Sequence, residues 1–168
     1  MLKMLKKRLG VEAVEKDWPN DNENFKDYFK VSLTLTIPDG CEKIGKSAFV
    51  NCISLKEVVI SEGVELIGRC AFQGCWKLRK VTIPGSVESI GDWAFVRCNV
   101  LREVVISEGV KWIGSHVFSS CKELKKVVIP KSVEKIGRIA FFKCEKATII
   151  LKKPISEFEV EYNAFAGC

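Results

Sequence analysis

Six cysteines keep a fixed register along this chain. Cys52, Cys75, Cys98, Cys121 and Cys144 are each 23 residues apart, and Cys168 follows after 24. A period in this range means one structural unit stacked repeatedly. That constraint precedes any assignment of single elements. It places function on the columns of a solenoid surface rather than in the pocket of a globular domain.

Aligned on those cysteines, other columns appear. Leu55, Leu78, Leu101 and Leu124 share one. Val58, Val81, Val104 and Val127 share the next, followed by Ile60, Ile83, Ile106 and Ile129. Val64, Val87, Val110 and Val133 come after, with Cys41 in the same place one turn earlier. Then come Ile44, Ile67, Ile90, Ile113 and Ile136, each followed by a glycine. Ala48, Ala71, Ala94, Val117 and Ala140 complete the unit, each followed by a phenylalanine. It reads C-x2-L-x2-V-x-I-(P/S)-x2-V-x2-I-G-x2-A-F-x2-C.

The V-x-I alternation has period two and predicts a short strand with one face inward. Stacked copies form a parallel ladder with coils about 4.8 Å apart, which turns each apolar column into a continuous internal stripe. One coil cannot bury its own apolar side chains; stacking buries them. The glycine after each isoleucine predicts either a positive φ or a close approach at a corner. Pro38, Pro84 and Pro130 end their strands, because proline cannot donate to the ladder.

The segments KVTIPGSVESIGDWAFVRC (80–98) and KVVIPKSVEKIGRIAFFKC (126–144) carry a further signal. This pattern resembles the BspA-type leucine-rich repeat over roughly residues 35 to 168, and the I-G-x2-A-F-x2-C element is its most specific part. The resemblance implies a right-handed solenoid of short stacked strands with few regular helices. It also implies a domain that binds other proteins or host surface components, often at the cell surface of a host-associated microbe.

A second-order repeat overlies the first. Residues 59–64 and 105–110 both read VISEGV, while the alternate coils carry IPGSV (83–87) and IPKSV (129–133). The unit of duplication is therefore read as two coils. Charges alternate with it: Glu57, Lys80, Glu103 and Lys126 fall in one outward column. Opposite charges on neighbouring strands stabilise a sheet by roughly 0.2–1 kcal/mol per pair. The column is thus read first as a structural charge ladder and second as a surface that reads a ligand.

The ends differ from the middle. Residues 1–30 are assigned to a cap: an amphipathic helix with Leu2, Leu5 and Leu9 at helical spacing, then the acidic, turn-rich stretch DWPNDNENFKD (17–27). Residues 31–168 are assigned to the solenoid, with a degenerate first coil at 31–40, about five regular coils and an irregular last coil. In the first coil Leu35 and Ile37 align with Val58 and Ile60. In the last, Ala147 takes the leucine column and one extra residue precedes Ala164-Phe165. A solenoid end needs a polar cap, and none is visible after Ala164. The expectation is that the natural chain continues, or that this end meets a partner. No apolar run approaches the length of a membrane span. Residues 1–9 are too short and too lysine-rich for the apolar region of a signal peptide. The compartment stays open: cytoplasmic as the chain is written, cell-surface or secreted as part of a longer protein of this type.

The eight cysteines invite a disulfide framework. The register argues against one. Side chains in a column point the same way at the strand spacing of about 4.8 Å, whereas a disulfide needs Cβ atoms about 3.8 Å apart and leaning together. The expectation is a ladder of inward thiols acting as small hydrophobes, with Cys70, outside the ladder, as the reactive thiol. A zinc site is not expected, since there is no C-x2-C pair and His116 is the only histidine.

Catalysis is not expected either. A Cys70–His116 dyad is separated by two coils, about 10 Å, and no Gly-rich phosphate loop or other cofactor motif is present. The candidates are binding columns. The first is the outward strand face: Glu57, Lys80, Glu103 and Lys126 beside Val59, Thr82, Val105 and Val128. The second is an aromatic patch of Trp93, Trp112 and His116, with Leu66, Cys70 and Ile139 nearby. Trp93 and Trp112 folding over a coil corner is its plainer explanation. Between Cys121 and Lys153 there are ten basic residues against three glutamates. This excess suits an acidic protein or a polyanion such as a sulfated glycan. Nucleic acid is not the expected partner, because stacking aromatics are not interleaved with the basic residues. Head-to-tail association of the acidic and basic ends is a further expectation. The reading is a non-enzymatic protein-interaction or adhesion scaffold, with a polyanion-binding surface on the basic C-terminal coils as the alternative.

Overall fold

A computed structural model describes residues 33–168 of the chain. The cap assigned to residues 1–30, its acidic stretch and the first residues of the degenerate coil lie outside them. Two parallel sheets run the length of the solenoid. The first joins, in order, β1 (Leu33–Ile37), β3 (Leu55–Ile60), β5 (Lys80–Ile83), β7 (Glu103–Ile106), β9 (Lys126–Ile129) and β11 (Thr148–Leu151). The second joins the two-residue strands β2 (Lys43–Ile44), β4 (Leu66–Ile67), β6 (Ser89–Ile90), β8 (Trp112–Ile113), β10 (Lys135–Ile136) and β12 (Glu159–Val160). Among the described residues the only helical element is a 3-10 turn, Ile155–Glu157.

The register follows the sequence columns. Leu35 pairs with Val58 and Ile37 with Ile60; Val58 pairs with Val81, Val81 with Val104 and Val104 with Val127. These inward residues are buried, and so are the leucine, isoleucine, alanine and phenylalanine columns. The strands stop where expected: β1, β5 and β9 end at Ile37, Ile83 and Ile129, each immediately before a proline. The phenylalanines form an axial stack, with ring centroids 5.1–5.7 Å apart from Phe49 through Phe165. Burial of one such ring contributes about 1.5–3 kcal/mol, and each ring obtains it from the coils on either side.

The thiols make a parallel column. Cys52, Cys75, Cys98, Cys121 and Cys144 are buried, and no disulfide links any of the eight cysteines. From Cys75 onward each thiol donates to the phenylalanine carbonyl one coil earlier: Cys75 to Phe49 at 3.2 Å, Cys98 to Phe72 and Cys121 to Phe95 at 3.3 Å, Cys144 to Phe118 at 3.1 Å. Burial pushes the Cys98 thiol up to about 12, which leaves it protonated and inert. Cys168 departs from the column. It donates to the Phe141 carbonyl at 3.1 Å, yet it is exposed, because no coil among the described residues covers it.

The corner glycines settle one of the two options given for them. Gly68, Gly91, Gly114 and Gly137 do not carry a positive φ; they are sites of close approach. A Cβ on Gly91 would lie 2.7 Å from the backbone nitrogen of Arg69, and one on Gly137 2.5 Å from that of Ser115. The positive φ falls two residues later, on Ser47, Cys70, Trp93, His116 and Ile139, at 56–57°. A second left-handed column follows at Asn51, Gly74, Arg97, Ser120 and Lys143. Non-glycine residues adopt this conformation only under constraint, and the constraint is visible. Ser47, Cys70, Trp93 and His116 each donate their N–H to the next coil at 2.9 Å, reaching Arg69, Asp92, Ser115 and Arg138 respectively. Phe49, Phe72, Phe95 and Phe118 do the same toward Ala71, Ala94, Val117 and Ala140 at 2.7–2.9 Å. The corner is therefore a third ladder. Its bonds run from one coil to the next, whereas just before β5 the Arg79 N–H donates back to the Lys56 carbonyl.

The last coil explains its own irregularity. Thr148 pairs with Lys126 and Leu151 with Ile129, so the strand begins one residue early relative to its cysteine. The stretch before β12 then holds two more residues than its counterpart, and the 3-10 turn absorbs them while burying Phe158. The single extra residue seen in the sequence is the net of that deletion and insertion.

Two outcomes follow from this packing. Gly91→Ala places a methyl against backbone that cannot rotate away, and should cost about 1–3 kcal/mol, read as a lower denaturant midpoint; an unchanged midpoint would contradict the close approach. In native protein a thiol reagent should label Cys70 and Cys168, and the remaining cysteines only after unfolding. Fast native labelling of the buried column, or its oxidation as prepared, would overturn the ladder.

Candidate functional site

Alternation along each strand of the first sheet leaves two columns facing outward. In one, Glu57 pairs with Lys80, Lys80 with Glu103 and Glu103 with Lys126. Lys80 Nζ lies 3.0 Å from Glu103 Oε1. Both groups are about half exposed, so the pair contributes at most a few tenths of a kcal/mol, roughly 0.2–1. In the other, Val59 pairs with Thr82 and Thr82 with Val105, while Val128 faces Ile150 of β11. Val59 and Val105 are 44% and 41% exposed, a high value for valines on a rigid sheet; Val128 is half-buried.

The aromatic patch is divided between two columns. Trp112 belongs to β8 and stands in line with Leu66, Ser89 and Lys135 on the outer face of the second sheet, 46% exposed. Trp93 and His116 occupy the left-handed corner. Their rings stack at 5.2 Å with planes 14° apart, and the Arg69 guanidinium lies 4.6 Å from the Trp93 centroid. Leu66 shares the Trp112 column, and Cys70 and Ile139 share the corner column. His116 is held below its ordinary pKa, first by burial and then by Arg138, with Asp92 opposing.

The basic C-terminal coils are partly neutralised in space. Lys135 Nζ sits 2.8 Å from Glu159 and 2.9 Å from Glu161, which raises its pKa. Lys146 pairs with Glu123, and that contact holds the Glu123 carboxyl below its usual range. Lys111 pairs with Glu88 at 2.8 Å in the same manner on the second sheet. These pairs join neighbouring coils.

One basic column takes no part in such pairs, and the sequence reading passed over it. Lys56, Arg79, Arg102 and Lys125 each stand four residues after a ladder cysteine. Their backbones are joined directly: Arg79 N–H to the Lys56 carbonyl, Arg102 to Arg79, and Lys125 to Arg102, at 2.9, 2.9 and 3.1 Å. Lys56, Lys77, Arg79, Val100 and Arg102 line a groove of about 320 Å³ along the solenoid axis. Among the described residues none of its four cations has an ion pair. The signal was present in the alignment as a column without a single acidic residue.

No group of three or more metal-ligating side chains comes together among the described residues. No helix there is long and apolar enough to cross a membrane.

Comparison with known proteins agrees with this geometry. The BspA type leucine rich repeat region matches residues 21–148 in six copies. No curated protein matches the chain. Among solved structures, a leucine-rich repeat protein from Eubacterium ventriosum is similar at 25% identity and a TM-score of 0.72, over 82% of this chain and 43% of its own. The T. pallidum leucine rich repeat protein is similar at 27% identity and a TM-score of 0.68, over 82% of this chain and 77% of its own. The pneumococcal vaccine antigen PcpA is similar at 28% identity and a TM-score of 0.58, over 76% of this chain and 30% of its own. The chain thus spans less than half the length of the first and third of these. By its six repeats and by its coil, the chain belongs to the BspA-type leucine-rich repeat family.

Proposed function

We propose that this chain is a non-enzymatic scaffold that holds a protein partner, as an interaction or adhesion module, on the outward face of its first sheet. Leucine-rich repeat proteins generally serve as protein-interaction scaffolds, and the solenoid supplies the physical reason. Stability approximates a sum over coils and their interfaces, so outward residues can change without disturbing the inward columns. The observation that carries the reading is the column Val59–Thr82–Val105. Its two valines are exposed apolar side chains, either side of Thr82, on a backbone fixed from both sides. Rigid, desolvatable surface of this kind loses little entropy on binding. The adjoining Glu57, Lys80, Glu103 and Lys126 column then sets the register of a complementary partner through its alternating charge.

The double variant Val59→Glu/Val105→Glu tests this reading. It leaves the inward columns untouched and should keep the wild-type melting temperature within a few degrees. A protein held by the wild-type chain should bind it about tenfold or more weakly, as expected for the centre of an interface. The same protein should bind Trp112→Ala unchanged. Equal binding to the wild type and the Val59/Val105 variant, or loss only with Trp112→Ala, would overturn the assignment to this face.

A further inference from the structure

The groove beside the first sheet points to a second kind of ligand. Lys56, Arg79, Arg102 and Lys125 repeat one per coil along the axis. Neighbouring coils are about 4.8 Å apart, so the column sets four cations over about three such steps. Lys77 adds a fifth from the turn before β5, and Val100 provides the groove's only apolar wall.

Like charges placed directly opposite on neighbouring strands destabilise a sheet. Several cations elsewhere meet a carboxylate instead, although an acidic row, Glu42, Glu65 and Glu88, also stacks on itself before it reaches Lys111. Lys80 meets Glu103, Lys111 meets Glu88, Lys135 meets Glu159 and Glu161, and Lys146 meets Glu123. The carboxylates beside the basic column do not neutralise it: Glu103, next to Arg102, pairs with Lys80. Glu57 follows Lys56 and faces Lys80 in the outward ladder. Glu123 feels Arg102 and Lys125 but is already engaged by Lys146. What sets the basic row apart is that it lines a concave surface and has no carboxylate partner, so an anion from outside the chain can offset its repulsion there.

The chemistry of the groove narrows that anion. Arg79 and Arg102 present planar forks that match the paired oxygens of sulfate and carboxylate groups. The row follows the solenoid axis, so the anion must carry charges repeatedly along its length. The backbone here is spent on bonds between coils, Arg102 N–H to Arg79 carbonyl among them. A peptide bound by strand addition has no free main-chain edge to use. The lining holds no aromatic ring, so it lacks the stacking platform by which single-stranded nucleic acid is held.

We infer that the groove of Lys56, Lys77, Arg79 and Arg102, extended by Lys125, binds a linear sulfated or carboxylated polysaccharide. This site is separate from the Val59–Val105 column, so either assignment can fail without the other. It also differs from the expectation of a polyanion on the C-terminal coils, whose Lys135 and Lys146 are engaged by glutamates.

The test uses the full chain and immobilised heparin, with polyglutamate and an oligothymidylate of matched charge as competitors. Arg79→Gln/Arg102→Gln should weaken heparin binding by about tenfold and make its dependence on log salt shallower by about two. Lys131→Gln/Lys152→Gln removes the same charge elsewhere and should change binding little. The Arg79/Arg102 variant should melt no lower than wild type, since like-charge contact is relieved, so loss of binding cannot be laid to unfolding. Heparin should raise the melting temperature of the wild type and not of that variant. Equal losses for the two double variants would reduce the effect to net charge and overturn the site. Polyglutamate or oligothymidylate displacing heparin at lower concentration than free heparin does would overturn the polysaccharide assignment. Melting of the Arg79/Arg102 variant well below wild type would also overturn it, by giving the column a structural role.

Discussion

Everything in this solenoid depends on the fixed step between coils. Hydrogen bonds hold that step on two sheets and again along the left-handed corner, where the amides of Trp93 and His116 reach the next coil at 2.9 Å. A constant step of about 4.8 Å puts each residue directly over its equivalent. Apolar residues benefit, because like packs on like: the phenylalanine rings stack at 5.1–5.7 Å, close to the step itself. Thiols benefit as well, since each finds a carbonyl at the same place one coil back. Charges do not, and a column of one sign must alternate or attract a counter-ion.

That rule links the two-coil duplication to the surface. A unit of one coil would repeat its charges and stack them against themselves. A unit of two coils lets Glu57 and Glu103 alternate with Lys80 and Lys126 in one column. The same duplication alternates proline with serine after the strand. Pro84 lacks an N–H, whereas Ser107, in the following coil, donates to the Ile83 carbonyl at 3.0 Å. Compensation by alternation belongs to the column of Glu57 and Lys80, and Lys56, Arg79, Arg102 and Lys125 beside it repeat one sign in every coil.

Much of the fold was legible because burial leaves a column in the alignment. Val58, Ile60, Leu78 and Phe95 each announced an inward position, and each is buried. Backbone dihedrals leave no such trace. Glycine after isoleucine signalled a special position but not which kind, since close approach and positive φ both favour glycine. The left-handed residues two places on were invisible, because Trp, His, Ile, Cys and Ser occupy them and only a hydrogen-bonded corner compels that conformation. The deletion and insertion in the last coil nearly cancel in length, so only strand register separates them. The basic column was legible and was missed for a simpler reason. Glu57, Lys80, Glu103 and Lys126 stand next to it in sequence, and their alternation masks a neighbouring column in which the sign never changes.

The corner also decides what Trp93 and His116 mean. A ring pair at 5.2 Å with an arginine over one face resembles a recognition site when seen alone. Here the geometry follows from the backbone. Residues 93 and 116 share a left-handed φ of 57°, so their side chains leave the coil in parallel and meet at about the coil step. The stack repeats on the outside what the phenylalanine column does within, and Arg69, in the preceding coil, completes it from below. Stacking of this kind contributes about 0.5–1.5 kcal/mol, enough to account for two aromatic residues at a strained corner. Trp112 has no such account: it stands on the second sheet, exposed, in a column of Leu66, Ser89 and Lys135. The two tryptophans that a sequence reading groups together thus have different causes, one local packing and the other unexplained by any contact of the coil.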